Sequence, residues 1–268
     1  MKQKSMIYIS AMIMVSFILI GCNKGSVQSI WNDQQLKIDG FYADWGTNLL
    51  YNEKSNLGFA VANDSNCIYL CLVSADQQVI RQVMMRGLEL KIDVPKMKGH
   101  TFKIKYPVGM EGMDMSMMRS MRSGGKMGGF DQDWMGETGG PDMTPPMEEM
   151  QTEFHLYGPG RDDKRIIPMQ NNMGIDINVG RSQRQLVYEI KIPIQLIKDY
   201  FEIDQSIAIA EMVLNFKMPE MKMADMPSRG GMGGPSGGGM GGHPGRPDGM
   251  NSNSDNFKFS VRASLAAS

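Results

Sequence analysis

Met113-Asp114-Met115-Ser116-Met117-Met118-Arg119-Ser120-Met121 and Met218-Pro219-Glu220-Met221-Lys222-Met223-Ala224-Asp225-Met226 place thioether sulfurs at M-x-M and M-x-x-M spacings. Thioethers are soft donors, so a loop that gathers three of them suits Cu(I) or Ag(I). The candidate ligands are Met113, Met115, Met118, Met121, Met218, Met221, Met223 and Met226. Two other uses fit the same residues: contact with a hydrophobic partner through flexible Met side chains, and an expendable sink for oxidants. Of the two Met/Gly-rich stretches that contain these runs, 107–150 and 218–250, only the second holds a histidine, His243.

Other chemistries find little to stand on. The 268 residues hold 3 Cys and 3 His, too few for a multi-ligand zinc centre or a Cys-His nucleophilic pair. Gly124-Gly125-Lys126 is followed by Met127 and lacks the earlier glycine of a phosphate-binding loop. Neither H-E-x-x-H nor C-x-x-C occurs, and the one G-x-S-x-G match, Gly234 to Gly238, lies in a Gly-rich run rather than between a strand and a helix. Glu148-Glu149 and Asp162-Asp163 are adjacent carboxylates in loop-like sequence and read as solvated charge. A formal charge of −1, from 28 basic and 29 acidic residues, argues against a nucleic-acid partner, which needs a concentrated basic surface. The expectation is a protein that binds rather than catalyses.

The chain opens on an address. Lys2 and Lys4 precede an uncharged apolar run, Met6 to Ile20, that is short for a membrane span and suits a signal-peptide core. Leu19-Ile20-Gly21-Cys22 resembles a bacterial lipobox, with small Gly21 before the bond to be cut and Cys22 as the lipid acceptor. Residues 1–22 are then a lipoprotein signal peptide, and several acyl chains on Cys22 give stable membrane attachment. Asn23 stands where Asp would favour inner-membrane retention, so the expected location is the cell envelope, at the outer membrane.

Residues 23–35 read as a polar tether, and residues 36–268 as one domain with two insertions. Alternating or continuous apolar runs between turn signals predict strands at 36–38, 57–62, 67–74, 88–93, 101–106, 151–157, 173–179, 184–192, 205–217 and 256–262. Helices are expected at Gln77 to Arg86 and Gln195 to Phe201. Many short strands with few helices predict an all-β, antiparallel, jelly-roll-like sandwich. Asn63-Asp64-Ser65-Asn66 is a turn cluster that makes 57–62 and 67–74 a hairpin. Cys67 and Cys71 lie about 13 Å apart along one strand, too far for a disulfide, so they read as small hydrophobes on one face. The insertions, 107–150 and 218–250, hold 18 of the 28 methionines and 20 of the 31 glycines. Their Gly-Gly, Pro-Pro and Gly-Met composition favours disorder, and loop-closure entropy lets a sandwich carry them.

Lys37-Ile38-Asp39-Gly40-Phe41-Tyr42-Ala43-Asp44-Trp45 resembles the opening of family 9 carbohydrate-binding modules and their DOMON-like relatives. The likeness continues, in order, through Ala62-Asn63-Asp64, Ile68-Tyr69-Leu70-Cys71-Leu72, the run Gln82 to Asp93, and Tyr188-Glu189-Ile190-Lys191-Ile192-Pro193. It implies a β-sandwich that binds a glycan or an envelope partner, with calcium or haem among the ligands of relatives. Sugar binding in such modules uses aromatic faces, which makes Trp45, Tyr42, Tyr106 and Tyr157 the candidate platform, with Tyr51 beside them. Asp39, Asp44, Asp64 and Asp93 could serve calcium if loops bring them together, although the spacing is no EF-hand. For haem, His100 and His155 flank the first insertion with methionines nearby, offering a Met/His axial pair. The simpler role for Asp39 and Asp44 is to accept backbone N–H groups in their own turn, and for Trp45 to cover part of the sandwich.

Overall fold

Side chains alternate across a strand, so Leu90, Ile92, Leu214 and Phe216 share one face of their strands, with Glu89, Lys91, Asn215 and Lys217 on the other. Burying the first set creates the main core. The computed structural model describes residues 26–33, 36–109, 151–160, 162–182, 184–219 and 257–267. It contains β1 (Ser26–Gln28), β2 (Ile30–Trp31), β3 (Leu50–Asn52), β4 (Leu57–Asn63), β5 (Cys67–Ser74), β6 (Glu89–Asp93) and β7 (Phe102–Lys105). Beyond the first insertion follow β8 (Glu153–Tyr157), β9 (Lys164–Pro168), β10 (Asp176–Ser182), β11 (Gln185–Pro193), β12 (Glu211–Lys217) and β13 (Lys258–Ser264).

These strands form two sheets. Sheet A runs β1-β13-β12-β6-β7-β8-β9, and sheet B runs β10-β11-β5-β4-β2 with β3 also pairing β4. Pairing is antiparallel except at β1 with β13 and β2 with β4, which are parallel, so the sheets are mixed rather than purely antiparallel. The inner faces meet in one core, with Phe59 against Phe259 at 4.9 Å between ring centroids and Tyr188 edge-on to Phe216 at 6.1 Å. The expected sandwich is the observed one.

Helix α1 (Gln77–Arg86) begins where Asp76 caps it, its carboxylate accepting from the N–H groups of Gln78 at 2.8 Å and Val79 at 3.3 Å. It ends at Gly87, whose φ of 83° suits glycine. A Cβ there would also meet the Pro107 carbonyl oxygen at 2.3 Å. Helix α2 (Ile194–Tyr200) follows β11 directly and buries Ile197 and Tyr200. Among the described residues no helix is long and apolar enough to cross a membrane.

Several expectations change. Residues 26–31, placed in a tether, form β1 in sheet A and β2 in sheet B. Between them the buried Ser29 bonds the Asn63 side chain and accepts the Ala266 N–H at 2.8 Å. A polar knot therefore ties the start of the described chain to its end. Residues 36–38 are not a strand, because they cross the outside of sheet B rather than pairing with it. β9 escaped notice because an edge strand needs only one apolar face; Lys164, Arg165 and Ile166 are exposed. Pro107 to Gly109, assigned to the first insertion, pack beneath α1, with Val108 buried and Gln151 bonding Val108 N at 2.6 Å and Gly109 O at 3.2 Å.

The roots of the two Met/Gly-rich segments are close together. The first leaves after β7 and returns before β8; the second leaves after β12 and returns before β13. In register, Lys217, Glu89, Lys105 and His155 form one row across β12, β6, β7 and β8, so both segments are rooted at the same end of sheet A. Only β6 separates β12 from β7, a gap of about 10 Å at the usual strand spacing. Glu89 bridges it, taking Lys103 at 3.1 Å and Lys217 at 3.2 Å.

Candidate functional site

Two strands of sheet B, β4 and β5, are apolar on both faces. Leu57-Gly58-Phe59-Ala60-Val61-Ala62 and Cys67-Ile68-Tyr69-Leu70-Cys71-Leu72 read as continuous runs because neither face meets water. The inner face belongs to the main core. The outer face carries a second cluster of Ala60, Ala62, Tyr69, Cys71, Val73 and Val187, small enough to admit the indole of Trp45. Cys67 and Cys71 lie on this face as expected. The covering segment is residues 36–49, which brings Leu36, Ile38, Tyr42 and Leu49 onto the sheet with Trp45 at its centre.

Under that cover lies Glu189, with no exposed surface. Its Oε1 accepts the Trp45 Nε1–H at 2.6 Å, and its Oε2 accepts the Gly40 N–H at 2.7 Å and the Asp39 N–H at 3.1 Å. Gly40 can come this close because it has no side chain. At its φ of 80°, a Cβ would sit 2.6 Å from Gly180 Cα on β10, and one on Gly180 would sit 2.2 Å from the Gly40 oxygen. Burial pushes the Glu189 carboxyl up to about 7 against the Trp45 and Gly40 hydrogen bonds that lower it, and nearby Asp44 and Asp39 push it further up. Asp39 and Asp44 serve their own turn: Asp39 Oδ1 accepts Phe41 N–H at 3.0 Å and Asp44 Oδ2 accepts Lys37 N–H at 2.8 Å.

The cover also makes the wall of a cleft. Leu36, Lys37 and Ile38 face Asp176, Ile177 and Asn178 of β10, Lys191 of β11, and Thr152 with Pro168, Met169 and Gln170 from the end of sheet A. Together they line an open cleft of about 780 Å³. β10 is the last strand of its sheet, so its outer edge is turned to this space. Lys191 donates to Asp176 at 2.8 Å, and that hydrogen bond raises the lysine above its ordinary value. The far rim is braced by Asn171, whose side-chain amide donates to Met169 O at 3.0 Å and Ile175 O at 2.9 Å, while Met169 N–H bonds Thr152 O at 2.8 Å. An aliphatic surface edged by lysine, carboxylate and amide groups is suited to a ligand with hydroxyls around a carbon ring.

None of the four aromatic candidates lines this cleft. Trp45 and Tyr106 are core residues, 1% and 0% exposed, so neither offers a face to a ligand. Tyr42 is half-buried in the cover, and Tyr157 lies on the outside of sheet A with Lys103 Nζ 3.8 Å from its ring centre. Tyr51 is exposed on β3, its hydroxyl bonded to Asn56. Phe41, beside Gly40, is 54% exposed and is not among the aromatic candidates.

The other candidates separate as well. Asp64 accepts Asn66 N–H, Cys67 N–H and the Tyr69 hydroxyl in its hairpin turn, and Asp93 binds Asn215 and Lys91 on sheet A, so the four aspartates do not converge. Among the described residues no three His, Cys, Asp or Glu side chains are grouped to hold a metal ion. His155 is buried on β8, level with Lys105 on β7, and the insertion methionines that would complete a Met/His axial pair with it or with His100 lie outside the described residues. Met218 is a core residue, 2% exposed, and is withdrawn from any soft-metal set. Met113, Met115, Met118, Met121, Met221, Met223, Met226 and the lipidation candidate Cys22 lie outside the described residues.

No family model and no curated protein matches the chain. Among solved structures, a family 9 carbohydrate-binding module from Caldicellulosiruptor kristjanssonii, in complex with glucose, aligns at 9% identity. The alignment covers 74% of this chain and 80% of that one, with a TM-score of 0.34. The sandwich itself is defined by the strand pairing above.

Glu189 predicts a pH signature. Its folded value near 7 exceeds the ordinary 4.5, so the folded state holds a proton that the unfolded chain has released. Stability therefore falls as pH rises from 4.5 to 7 and is level above, by about 3 kcal/mol for a shift of this size. Urea unfolding across pH 4.5 to 8 should show this loss in the parent and not in Glu189→Gln; parallel curves would contradict the assignment.

Proposed function

We propose that the chain is a non-catalytic envelope module that takes a short oligosaccharide in the cleft at the edge of β10. The observation that carries this is the lining itself, an aliphatic surface bordered by Lys37, Asp176, Asn178 and Lys191. Hydroxyl groups need both donors and acceptors, and this border supplies both. The order of sequence blocks from Lys37 to Pro193 supports the same class of ligand. The buried carboxylate nearby does no acid–base work on a substrate, since all three of its hydrogen bonds go to the protein's own N–H groups and no solvent reaches it.

In this reading Cys22 carries the lipid, and only residues 23–25 separate it from β1. That reach is about 14 Å, so the sandwich rests close to the membrane by its β1 edge. β9, beside the cleft, is at the opposite edge of sheet A, six strand spacings or about 29 Å away. The order of strands supports a cleft presented away from the bilayer.

Calorimetric titration with cellotetraose, xylotetraose and tetragalacturonate tests the ligand. At least one should bind, and Lys191→Met or Asn178→Ala should weaken it about tenfold, the worth of a lost hydrogen bond, while Tyr157→Ala leaves it unchanged. Failure of all three sugars, or equal loss in the Tyr157 variant, would contradict the cleft as the site. Incorporation of labelled palmitate that disappears in Cys22→Ala checks the anchor; labelling that persists would refute it.

A further inference from the structure

The residues that wall the cleft and the residues that Glu189 grips belong to one continuous segment. Leu36, Lys37 and Ile38 line the cleft; Asp39, Gly40 and Trp45, next along the chain, donate to the Glu189 carboxylate. On β11, Glu189 is two residues from Lys191, and on β10 it stands opposite Asn178. Both neighbours line the cleft. Lys37 is tied into the same turn by its N–H bond to Asp44. The Gly40 and Gly180 backbones are in contact, so the segment cannot approach β10 any closer.

We infer that Glu189 is the positioning residue of the cleft: its carboxylate, acting through Asp39, Gly40 and Trp45, sets how the Leu36–Ile38 wall lies against β10. A ligand in the cleft then depends on a side chain it never touches. The affinity part of this inference rests on the oligosaccharide reading; the wall part does not.

The direction of control follows from linkage. The charged and titratable groups facing Glu189 are Asp39 and Asp44 on the cover, Cys71 opposite it on β5, and the Lys191–Asp176 pair beyond Asn178 on β10 and β11. Lys191 is held by Asp176, and the two cover aspartates repel a charged Glu189. Burial is the largest influence and favours the protonated carboxyl, whereas a Glu189 exposed by lifting the cover would ionise at an ordinary value. The closed wall therefore binds the proton more tightly than the open one, and rising pH loosens it.

The experiment uses the full chain in detergent, labelled with ¹⁵N. The Trp45 indole N–H and the Gly40 amide should move together through one transition near pH 7. Amide protection factors at Lys37 and Ile38, corrected for intrinsic exchange, should fall about tenfold from pH 5 to pH 8. In Glu189→Gln, which keeps the shape but cannot ionise, both changes should vanish. Affinity for whichever of cellotetraose, xylotetraose and tetragalacturonate binds should weaken about tenfold over the same range in the parent and stay flat in the variant. A parent whose Trp45 and Gly40 signals do not titrate, or whose wall protection ignores the transition, overturns the inference without needing any variant to fold. A titrating wall in a chain that binds none of cellotetraose, xylotetraose and tetragalacturonate at any pH supports the positioning role and counts against the oligosaccharide reading alone.

Discussion

A carboxylate removed from water must be met by donors, and Glu189 is met by three that all come from one crossing segment. That requirement explains why residues 36–49 lie where they do. With the segment in place, the outer face of β4, β5 and β11 becomes a second core around Trp45, and the middle of sheet B is buried on both sides. Without it, Ala60, Ala62, Tyr69 and Val187 would form an apolar patch open to solvent. The same segment walls the cleft, so a fold-level device and the candidate binding site share their residues.

The strands that pack on the main core were readable because their chemistry is local. The β4–β5 hairpin follows from Asp64, whose side chain takes the N–H groups of the turn, and α1 follows from Asp76 at its start and Gly87 at its end. What escaped depended on partners distant in sequence. β1 and β2 are too short to show a period, and are strands only because β13 and β4 accept them. Residues 36–38 alternate like a strand, yet they fold as cover.

The site was less legible than the fold. In Leu186-Val187-Tyr188-Glu189-Ile190-Lys191-Ile192, Glu189 sits in the polar phase of an alternating strand and reads as a surface residue. The available signal was indirect: β4 and β5 have no polar phase, so a charge on the neighbouring strand at that level had to be buried. Aromatic content pointed to Trp45 and Tyr106, but an indole and a phenol that fill a core cannot also face a ligand. The cleft is made instead of aliphatic, amide and charged side chains drawn from five separate stretches, a combination that no linear spacing announces.

Three features divide the surface of the sandwich. β1, the first described strand, forms one edge of sheet A, both Met/Gly-rich segments are rooted at one end of that sheet, and the cleft opens at the far edge beside β10. The proposed oligosaccharide occupies the last of these. Mapping backbone amide shifts of the ¹⁵N-labelled chain on adding a bound oligosaccharide tests it most directly. Shifts confined to Lys37, Ile38, Gln170, Asn178 and Lys191 are expected. Shifts centred instead on Tyr157, Lys103 and Ile166 of sheet A, with the cleft silent, would contradict it.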